Sequence, residues 1–411
     1  MIEPVDNRGA EDSADCPATL VFDEAQRILA AHAGALSPER VPIGEAGGRR
    51  LAEPVIANLD GPRWDCAAMD GYAVRDADLR AGWQEFRSVG SVHAGHRTTV
   101  TLSEGETMRV MTGAPVPAGT DRVVMIEQCR DLPHAVHIPY SPHDKPHLRR
   151  RASDFAAGQT ILESGRMLTP PALIAAAAAD HSHVAVWRRP TVHIVATGDE
   201  ILPPGTASAR SDKIPDSLTA ATALLASQWG GDVVRESRVG DDPQAVLRAC
   251  MAVKSDVIAI IGGASRGDRD FGRSALDPLG FKLLFCDVAM KPGKPTWYGR
   301  IGETHVLGLP GNPTAALTVA RLFLAPLLTG LAGGEAPSAL AWRLVPLAHA
   351  LKGNGAREAF LCADMHDSVI TVLDRQEASA QAVLGRTSAL VRRPAGARDV
   401  PPGTPLPTLM I

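Results

Sequence analysis

Apolar runs alternate with helical patterns over about 140 residues of this chain, between residues 190 and 330. The apolar runs are 192–196, 233–234 and 257–261, and the helical patterns are 218–229, 244–253 and 313–328. Strands that alternate with helices form a mostly parallel sheet through crossover connections. The sequence therefore predicts a central three-layer α/β domain.

The flanking segments have a different pattern. Residues 61–146 contain short β-prone runs between Gly, Pro and Thr residues, and short strands follow Gly333-Gly334. A chain of 411 residues is longer than one hydrophobic core usually organises. We therefore expect a multidomain α/β and β protein with a β-rich insertion and a C-terminal β-barrel-like domain. The predicted boundaries are a flexible tail (1–17), an elongated discontinuous domain I (18–60 and 147–187), domain II (61–146), α/β domain III (188–330) and β domain IV (331–411).

The composition limits which cellular environment and which binding partners we expect for the protein. There are 42 basic and 46 acidic residues, and this near balance does not favour nucleic acid or a membrane surface. The N-terminus lacks the apolar core of a signal peptide, so we expect a cytoplasmic protein. The six cysteines include no Cys-x-x-Cys pair, which predicts reduced thiols.

Two glycine-rich and acidic loops follow predicted strands. One is Thr197-Gly198-Asp199-Glu200, and the other begins at Gly262-Gly263 and runs to Asp270 through Ser265 and Asp268. Ligands of open α/β sheets bind beyond the carboxyl ends of the strands. Glycine lets backbone donors approach a phosphate, and carboxylates suit Mg²⁺. Taken alone, either loop is equally consistent with a ligand site and with an ordinary tight turn whose acidic side chains are solvated.

Two proline-glycine loops follow in the same domain. Lys291-Pro292-Gly293-Lys294-Pro295 offers two cations, and Leu309-Pro310-Gly311-Asn312-Pro313 opens a helix whose N-terminus favours anions. Singly, such loops are more often ordinary turns. Together, the four loops predict one rim that holds a phosphate-bearing anionic cofactor and a divalent metal.

Six motifs in order resemble the MoeA/gephyrin family. They are Met69-Asp70-Gly71-Tyr72-Ala73, the segment 111–119 (Met-Thr-Gly-Ala-Pro-Val-Pro-Ala-Gly), the two acidic loops, Lys291–Pro295 and Leu309–Pro313. The resemblance runs from about residue 20 to the C-terminus. It implies a molybdopterin molybdenumtransferase that inserts molybdate into adenylylated molybdopterin, with Mg²⁺-dependent hydrolysis releasing AMP, and that works as an elongated homodimer. A molybdopterin adenylyltransferase and recipient molybdoenzymes are its expected partners.

The resemblance also implies residue roles. The metal would be held by Glu200, Asp216 and Asp270, and molybdate would be received by Ser265, Lys291, Lys294, Arg357 and Ser379. Asp70 and Thr112 would reach the site of the other subunit, and they complete the catalytic set with Asp270, Lys291 and Lys294. The remaining cofactor-binding positions are Thr197, Gly198, Asp199, Gly262, Gly263, Pro295, Pro310, Gly311 and Asn312.

Six positions depart from the family pattern. They are Ala67, Ala152, Ser153, Leu218, Ile261 and Asp287, the last of which replaces a residue that is often Lys. An anion near the path of a dianion would weaken binding, whereas the same residue facing outward from a strand would have no effect. Two alternatives therefore stay open. One is a divergent molybdopterin carrier without insertion activity. The other is a nucleotide pyrophosphatase, which would not need the region 68–74.

Overall fold

The computed structural model describes residues 19–141, 143–263 and 273–411. Packing divides them into two units, residues 40–186 and residues 187–411 with the segment up to 39. The predicted boundaries of the four domains are finer than this division and stay a prediction. The helices α1 to α7 are Phe22–His32, Asp76–Arg80, Pro170–Ala178, Thr219–Gln228, Pro243–Met251, Pro313–Val319 and Ala325–Leu331.

Most of the regular structure is in strands. In chain order, β1 to β26 are Pro38–Pro42, Val55–Ile56, Cys66–Ala67, Gly71–Val74, Glu85–Val92, Glu106–Val110, Arg122–Met125, Arg130–Asp131, Val136–His137, Leu148–Arg149, Thr160–Leu162, His183–Trp187, Thr191–Thr197, Ile201–Leu202, Ile214–Pro215, Asp232–Val239, Val257–Ile261, Lys282–Cys286, Met290–Lys291, Trp297–Ile301, Thr304–Leu309, Arg343–Pro346, Glu358–His366, Val369–Val372, Ala389–Arg393 and Pro405–Met410.

The unit of residues 40–186 contains the β-rich insertion. Six strands form one sheet in the order β7-β4-β6-β5-β9-β8. The side chains of β4, next to the edge strand β7, alternate between the faces of the sheet: Tyr72 and Val74 pack on one face and Ala73 packs on the other. A separate apolar core holds α3, which begins at Pro170, against Val55 and Val186. This unit therefore has cores of its own.

The central sheet of the other unit has the order β16-β13-β17-β21-β20-β18. The first four strands are parallel, and β20 and β18 are antiparallel to their neighbours. All of β17 is buried, with Ala259 facing the core that contains α4, α6 and α7, and Ile258 and Ile260 facing the core that contains α5. Alternate residues of a strand point to opposite faces, so helices cover both faces. The three-layer α/β prediction is confirmed.

The C-terminal sheet has the order β19-β23-β25-β26-β22, with β24 paired to β23. Just beyond β22, Leu347 bridges Ile370 of β24, and the Ala348 amide donates to the Ile370 carbonyl oxygen at 2.8 Å. These contacts bring β22 round to β24 and curl the sheet towards closure. The expected barrel-like C-terminal domain is confirmed.

A continuous helical segment, Pro313–Leu331, crosses the core of this unit. It consists of α6, a π-helical turn at Ala320–Leu324, and α7. Its length and mean hydropathy of 1.6 would suit a membrane span, but 94% of this apolar stretch is buried inside the protein. Burial on this scale is what a core helix of a folded protein requires.

The cysteines that the structure describes divide into two groups. Cys66, Cys129, Cys250 and Cys362 are free thiols, as expected. Cys286 at the end of β18 is disulfide-bonded, so the prediction of a reduced thiol is wrong for that residue.

Candidate active site at the strand ends

Three strand-end loops lie against each other at the carboxyl edge of the parallel strands. The Gly262 amide donates to the Leu309 carbonyl oxygen at 3.0 Å, and the Thr197 hydroxyl donates to the Ile261 carbonyl oxygen at 3.3 Å. A Cβ on Gly262 would lie 2.7 Å from the Thr197 hydroxyl, and one on Gly311 would lie 3.6 Å from Gly262 Cα. Gly262 also has a φ of 88°, which favours glycine. The loops after β13, β17 and β21 therefore form one continuous edge.

The lysine loop packs onto the helix that follows this edge. A Cβ on Gly293, which has a φ of 103°, would lie 2.6 Å from a methyl group of Val319 in α6. The Lys294 carbonyl oxygen accepts hydrogen bonds from the Val288 and Thr296 amides at 3.0 and 2.9 Å. Lys291 is exposed and Lys294 is half-buried. The backbone of the loop is thus fixed, while its two ammonium groups extend from it.

The start of α6 is occupied by the loop that carries Ser379. The Thr314 amide and hydroxyl donate to the carbonyl oxygens of Ala378 and Ala380 at 3.0 and 2.6 Å. The Ala315 amide also donates to Ala378, at 3.4 Å. Because these amide and hydroxyl groups already donate hydrogen bonds to the loop, the N-terminus of α6 anchors the loop and is not open to an anion. Ser379 is consequently held beside the Pro310-Gly311-Asn312 turn.

A cleft of about 1210 Å³ lies next to these loops. Lys291 and Arg357 line it together, because β19 pairs with β23 and aligns Lys291 with Ala359. Both side chains are exposed, and within the described ranges neither forms an ion pair. Ser379 does not line this cleft. The structure therefore brings together two of the cations that were predicted to receive an oxyanion.

Sequence reasoning missed other cations of the same cleft. Arg375 lines it and is exposed, with no ion pair among the described residues, whereas Lys352 pairs with Asp399 at 2.9 Å. Arg375 belongs to none of the six motifs. Its position depends on how the C-terminal sheet curls, and no local pattern encodes that curl.

Of the predicted metal ligands, Glu200 and Asp216 have different environments. Glu200 is exposed and its carboxylate has no hydrogen-bond partner among the described residues. One Asp216 oxygen accepts from the Leu218 and Thr219 amides at 3.1 and 3.0 Å, and the other accepts from Arg238. Asp216 thus caps α4. Burial acts to raise its pKa, but the donors at Thr219, Arg238 and Leu218 outweigh burial, and the pKa of Asp216 is lowered.

The carboxylates of the described residues fit one kind of metal site and not another. Within residues 19–141, 143–263 and 273–411 no three His, Cys, Asp or Glu side chains are grouped to hold a metal. Mg²⁺, however, often takes one or two carboxylates and completes its shell with water and substrate phosphates. Glu200 fits such an ion, whereas Asp216 is committed to protein donors. The metal-binding role of Asp216 stays a prediction.

The Thr197–Glu200 loop is braced by local hydrogen bonds. An Asp199 carboxylate oxygen accepts from the Asp241 amide at 3.1 Å, and Lys213 Nζ donates to the Asp199 carbonyl oxygen at 2.8 Å. Asp199 therefore shapes the loop from which Glu200 projects.

Three predicted residues fall outside the described ranges. They are Ser265, Asp268 and Asp270, and their assigned roles stay predictions.

In the unit of residues 40–186, Asp70 and Thr112 form a preorganised pair. A single oxygen of Asp70 accepts from both the backbone amide and the hydroxyl of Thr112, each at 2.7 Å. The Thr112 hydroxyl and then its amide lower the pKa of Asp70. Both side chains are exposed, so an ionised carboxylate is presented at the surface in a fixed orientation.

The structure gives Asp287 a local role. Asp287 is buried, with a φ of 51°, and its amide donates to the Thr296 carbonyl oxygen at 3.0 Å. Asp tolerates the left-handed region better than most residues do. Asp287 therefore sits in a buried turn after β18, and it is not an outward-facing strand residue. Leu218 and Ile261 are also buried, before α4 and at the end of β17.

Two family models match this chain. Residues 20–179 match the MoeA N-terminal region (domain I and II), and residues 193–330 match a probable molybdopterin binding domain. The molybdopterin molybdenumtransferase of Nostoc sp. is 34% identical over 346 residues, covering 80% of this chain and 77% of that protein. The molybdopterin molybdenumtransferase 2 of Mycobacterium tuberculosis is 34% identical over 315 residues, covering 74% and 77%.

A solved structure supports the same relationship over nearly the whole chain. The molybdopterin biosynthesis MoeA protein of Pyrococcus horikoshii superposes with a TM-score of 0.81 at 25% identity, covering 95% of this chain and 99% of that one. The fold and these matches define a protein of molybdenum cofactor biosynthesis with a domain of the molybdopterin-binding type. The chain belongs to the MoeA/gephyrin family of molybdopterin molybdenumtransferases, which confirms the family and enzyme class implied by its motifs.

Proposed function

We propose that this chain inserts molybdate into adenylylated molybdopterin and releases AMP in a Mg²⁺-dependent hydrolysis. One observation carries the proposal: the strand-end loops after β13, β17 and β21 contact each other, and the lysine loop packs on the helix that follows them. This arrangement combines backbone approach to phosphates with cations for an oxyanion. We expect the reaction to take place in the cytoplasm.

In the proposed reaction, different residues would bind the phosphates, the molybdate and the Mg²⁺, according to their charge. The glycine-lined edge of Gly262 and Gly311 would accept the phosphates of the adenylylated pterin. Lys291 and Arg357, which line the cleft together, would hold the molybdate dianion beside the dithiolene sulfurs with the help of Lys294 from the same loop, because cations offset its charge. Glu200 would hold Mg²⁺, which when bound supplies charge compensation for the phosphoanhydride.

Asp70 and Thr112 would act in a homodimer whose active sites are shared between subunits. The observation that supports this role is the Asp70 carboxylate, which is fixed, ionised and exposed. It packs in no apolar core, and no cation is paired with it within the described ranges. We propose that this pair completes the site of the partner subunit.

AMP release tests the proposed reaction. Purified protein supplied with adenylylated molybdopterin, Mg²⁺ and molybdate should release AMP, and Lys294→Gln should reduce the rate at least about tenfold, because a charge-assisted contact contributes about 1.5–3 kcal/mol. Lys254→Gln is the matched control. Lys254 is an exposed lysine of the same domain, located just before β17 at the opposite edge of the sheet.

The same assay separates the alternative of a carrier. If pterin stays bound while no AMP is released with or without molybdate, the insertion activity is refuted and a carrier role is favoured. If the protein hydrolyses ADP-ribose as readily as the adenylylated pterin, a general pyrophosphatase is favoured instead.

A further inference from the structure

A second cavity lies in the unit of residues 40–186. It has a volume of about 490 Å³, and its wall includes Arg63, Trp64, Arg97 and Arg151. None of the strand-end residues lines it, and neither do Asp70 and Thr112. The cavity is therefore separate from the predicted active-site residues.

Two guanidinium groups of this cavity are held by one indole. The guanidinium carbons of Arg97 and Arg63 lie 4.9 and 5.8 Å from the centre of the Trp64 ring. A cation over an aromatic face is attracted to its π electrons and keeps its N–H groups free for other acceptors. Both arginines are exposed, and in the part of the chain that the structure describes neither forms an ion pair or a side-chain hydrogen bond.

The carboxylates nearby are already paired with other arginines. Asp65 accepts from Arg150 Nη1 and from the Arg151 amide, both at 2.7 Å, and Asp60 accepts from Arg151 Nε at 2.5 Å. Because these acids are neutralised locally, they do not compete for Arg63 and Arg97. The cavity thus keeps two uncompensated guanidinium groups beside an aromatic ring.

This combination selects a chemical class of ligand. Planar guanidinium groups bind phosphate through paired hydrogen bonds, and their exposed flat faces also stack on a planar ring. A volume of about 490 Å³ also falls within the range of small-molecule sites. We propose that this cavity binds a phosphate monoester attached to a planar heteroaromatic ring, a chemistry shared by nucleoside monophosphates and phosphorylated pterins.

A fluorine label on tryptophan reports on this cavity directly. The chain has six tryptophans, so the full-length protein labelled with fluorotryptophan gives six signals, and Trp64→Phe identifies the one from Trp64. Titration with AMP should shift the Trp64 signal at a lower concentration than inorganic phosphate does, and adenosine should be the weakest ligand.

Two variants and one control test the recognition. Arg97→Gln and Arg63→Gln should each weaken the effect of AMP on the Trp64 signal about tenfold, which corresponds to about 1.4 kcal/mol. Arg130→Gln should have no effect, since Arg130 is exposed in β8 of the same unit and is not part of the cavity wall. The other fluorine signals show whether each variant keeps its fold.

Three results would overturn the proposal. The first is a Trp64 signal that does not respond to AMP or phosphate at millimolar concentrations. The second is a response that both arginine variants retain in full. The third is equal affinity for AMP and inorganic phosphate, which would exclude recognition of the ring. None of these results bears on molybdate-dependent AMP release, so the two proposals fail independently.

Discussion

At the scale of single residues, the Asp70–Thr112 pair shows how one carboxylate is fixed without burial. Two donors of Thr112 converge on one Asp70 oxygen, each at 2.7 Å. Removing the hydroxyl leaves the backbone donor in place, so the two contributions are separable by substitution.

Thr112→Val should lower the rate of AMP release and raise the pKa of Asp70, because the hydroxyl is the largest contribution that lowers this pKa. We expect the acidic limb of the pH–rate profile to move to higher pH. Thr112→Ser should keep the wild-type profile. Thr99→Val controls for the loss of an exposed threonine in the same unit. An unchanged acidic limb in Thr112→Val would contradict the assigned role.

Ala152 is a departure from the family pattern that has a conformational consequence. Its φ is 57°, in the left-handed region where a Cβ is unfavourable. Ala152→Gly should therefore stabilise the protein by about 1 kcal/mol, even though glycine is more flexible when unfolded.

The control for this prediction is Ala81→Gly. Ala81 is exposed with a φ of −74°, so glycine there should destabilise by a few tenths to about 1 kcal/mol. The midpoint of urea unfolding measures both changes. A lower midpoint for Ala152→Gly would show that the left-handed alanine carries no strain.

At the scale of elements, the contact between the loops after β13 and β17 depends on Gly262. Gly262→Ala should reduce AMP release at least about tenfold, because its Cβ would lie 2.8 Å from the Thr197 carbonyl oxygen and separate the loops. Gly205→Ala is a matched control, since Gly205 has a φ of 87° but no atom within 4 Å of the added Cβ. Both variants should lose stability, and only Gly262→Ala should lose activity. Equal activities would contradict the proposed edge.

A half-buried ion pair links the residues just before β13 to the segment before β17. Asp256 accepts two hydrogen bonds from Arg188 at 2.6 Å and two from Thr191. Burial alone would raise the pKa of Asp256, but Arg188 and Thr191 lower it to about 2. Because the folded-state pKa is below the unfolded value, the stabilisation is complete above about pH 4 and is lost as the pH falls towards 2.

Asp256→Asn should therefore destabilise the protein by about 2 kcal/mol at neutral pH and by much less near pH 2. Urea midpoints across this pH range measure the difference. Asp212→Asn, which removes an exposed carboxylate paired with Arg210, should change little at any pH. A pH-independent effect of Asp256→Asn would refute the linkage.

The strand-end loops could be predicted from the sequence because they follow from local patterns. Apolar runs such as 257–261 locate the strands, and a glycine-rich turn after a strand locates an edge. The anchoring of Ser379 at α6 could not be predicted, since Thr314 and Ala378 are distant in the chain. The ion pair of Asp216 could not be predicted either, since Arg238 lies in β16, a distant strand in the sequence. The cavity around Trp64 joins segments near 63, 97 and 151 that share no periodicity.

At the scale of the whole molecule, subunits with complementary defects test the proposed homodimer. Asp70→Asn and Lys294→Gln should each retain at most about a tenth of wild-type activity alone. Mixed and allowed to exchange subunits, they should recover about one quarter of wild-type activity, because half of the dimers are hybrids and each hybrid has one intact shared site. Recovery should be absent when Asp70→Asn is mixed with a Lys294→Gln subunit that also carries Asp70→Asn. No recovery in the first mixture would place Asp70 and Lys294 in the same subunit's site or in no common site.

The coupling of the two products tests the central claim most directly. Molybdenum retained on the pterin and AMP released should be measured in the same time course, with purified protein, adenylylated molybdopterin, Mg²⁺ and molybdate. We predict that both rise together in equal amounts, and that neither rises without molybdate. AMP that accumulates without molybdenum on the pterin, or bound pterin with no AMP at all, would contradict molybdenum insertion by this chain.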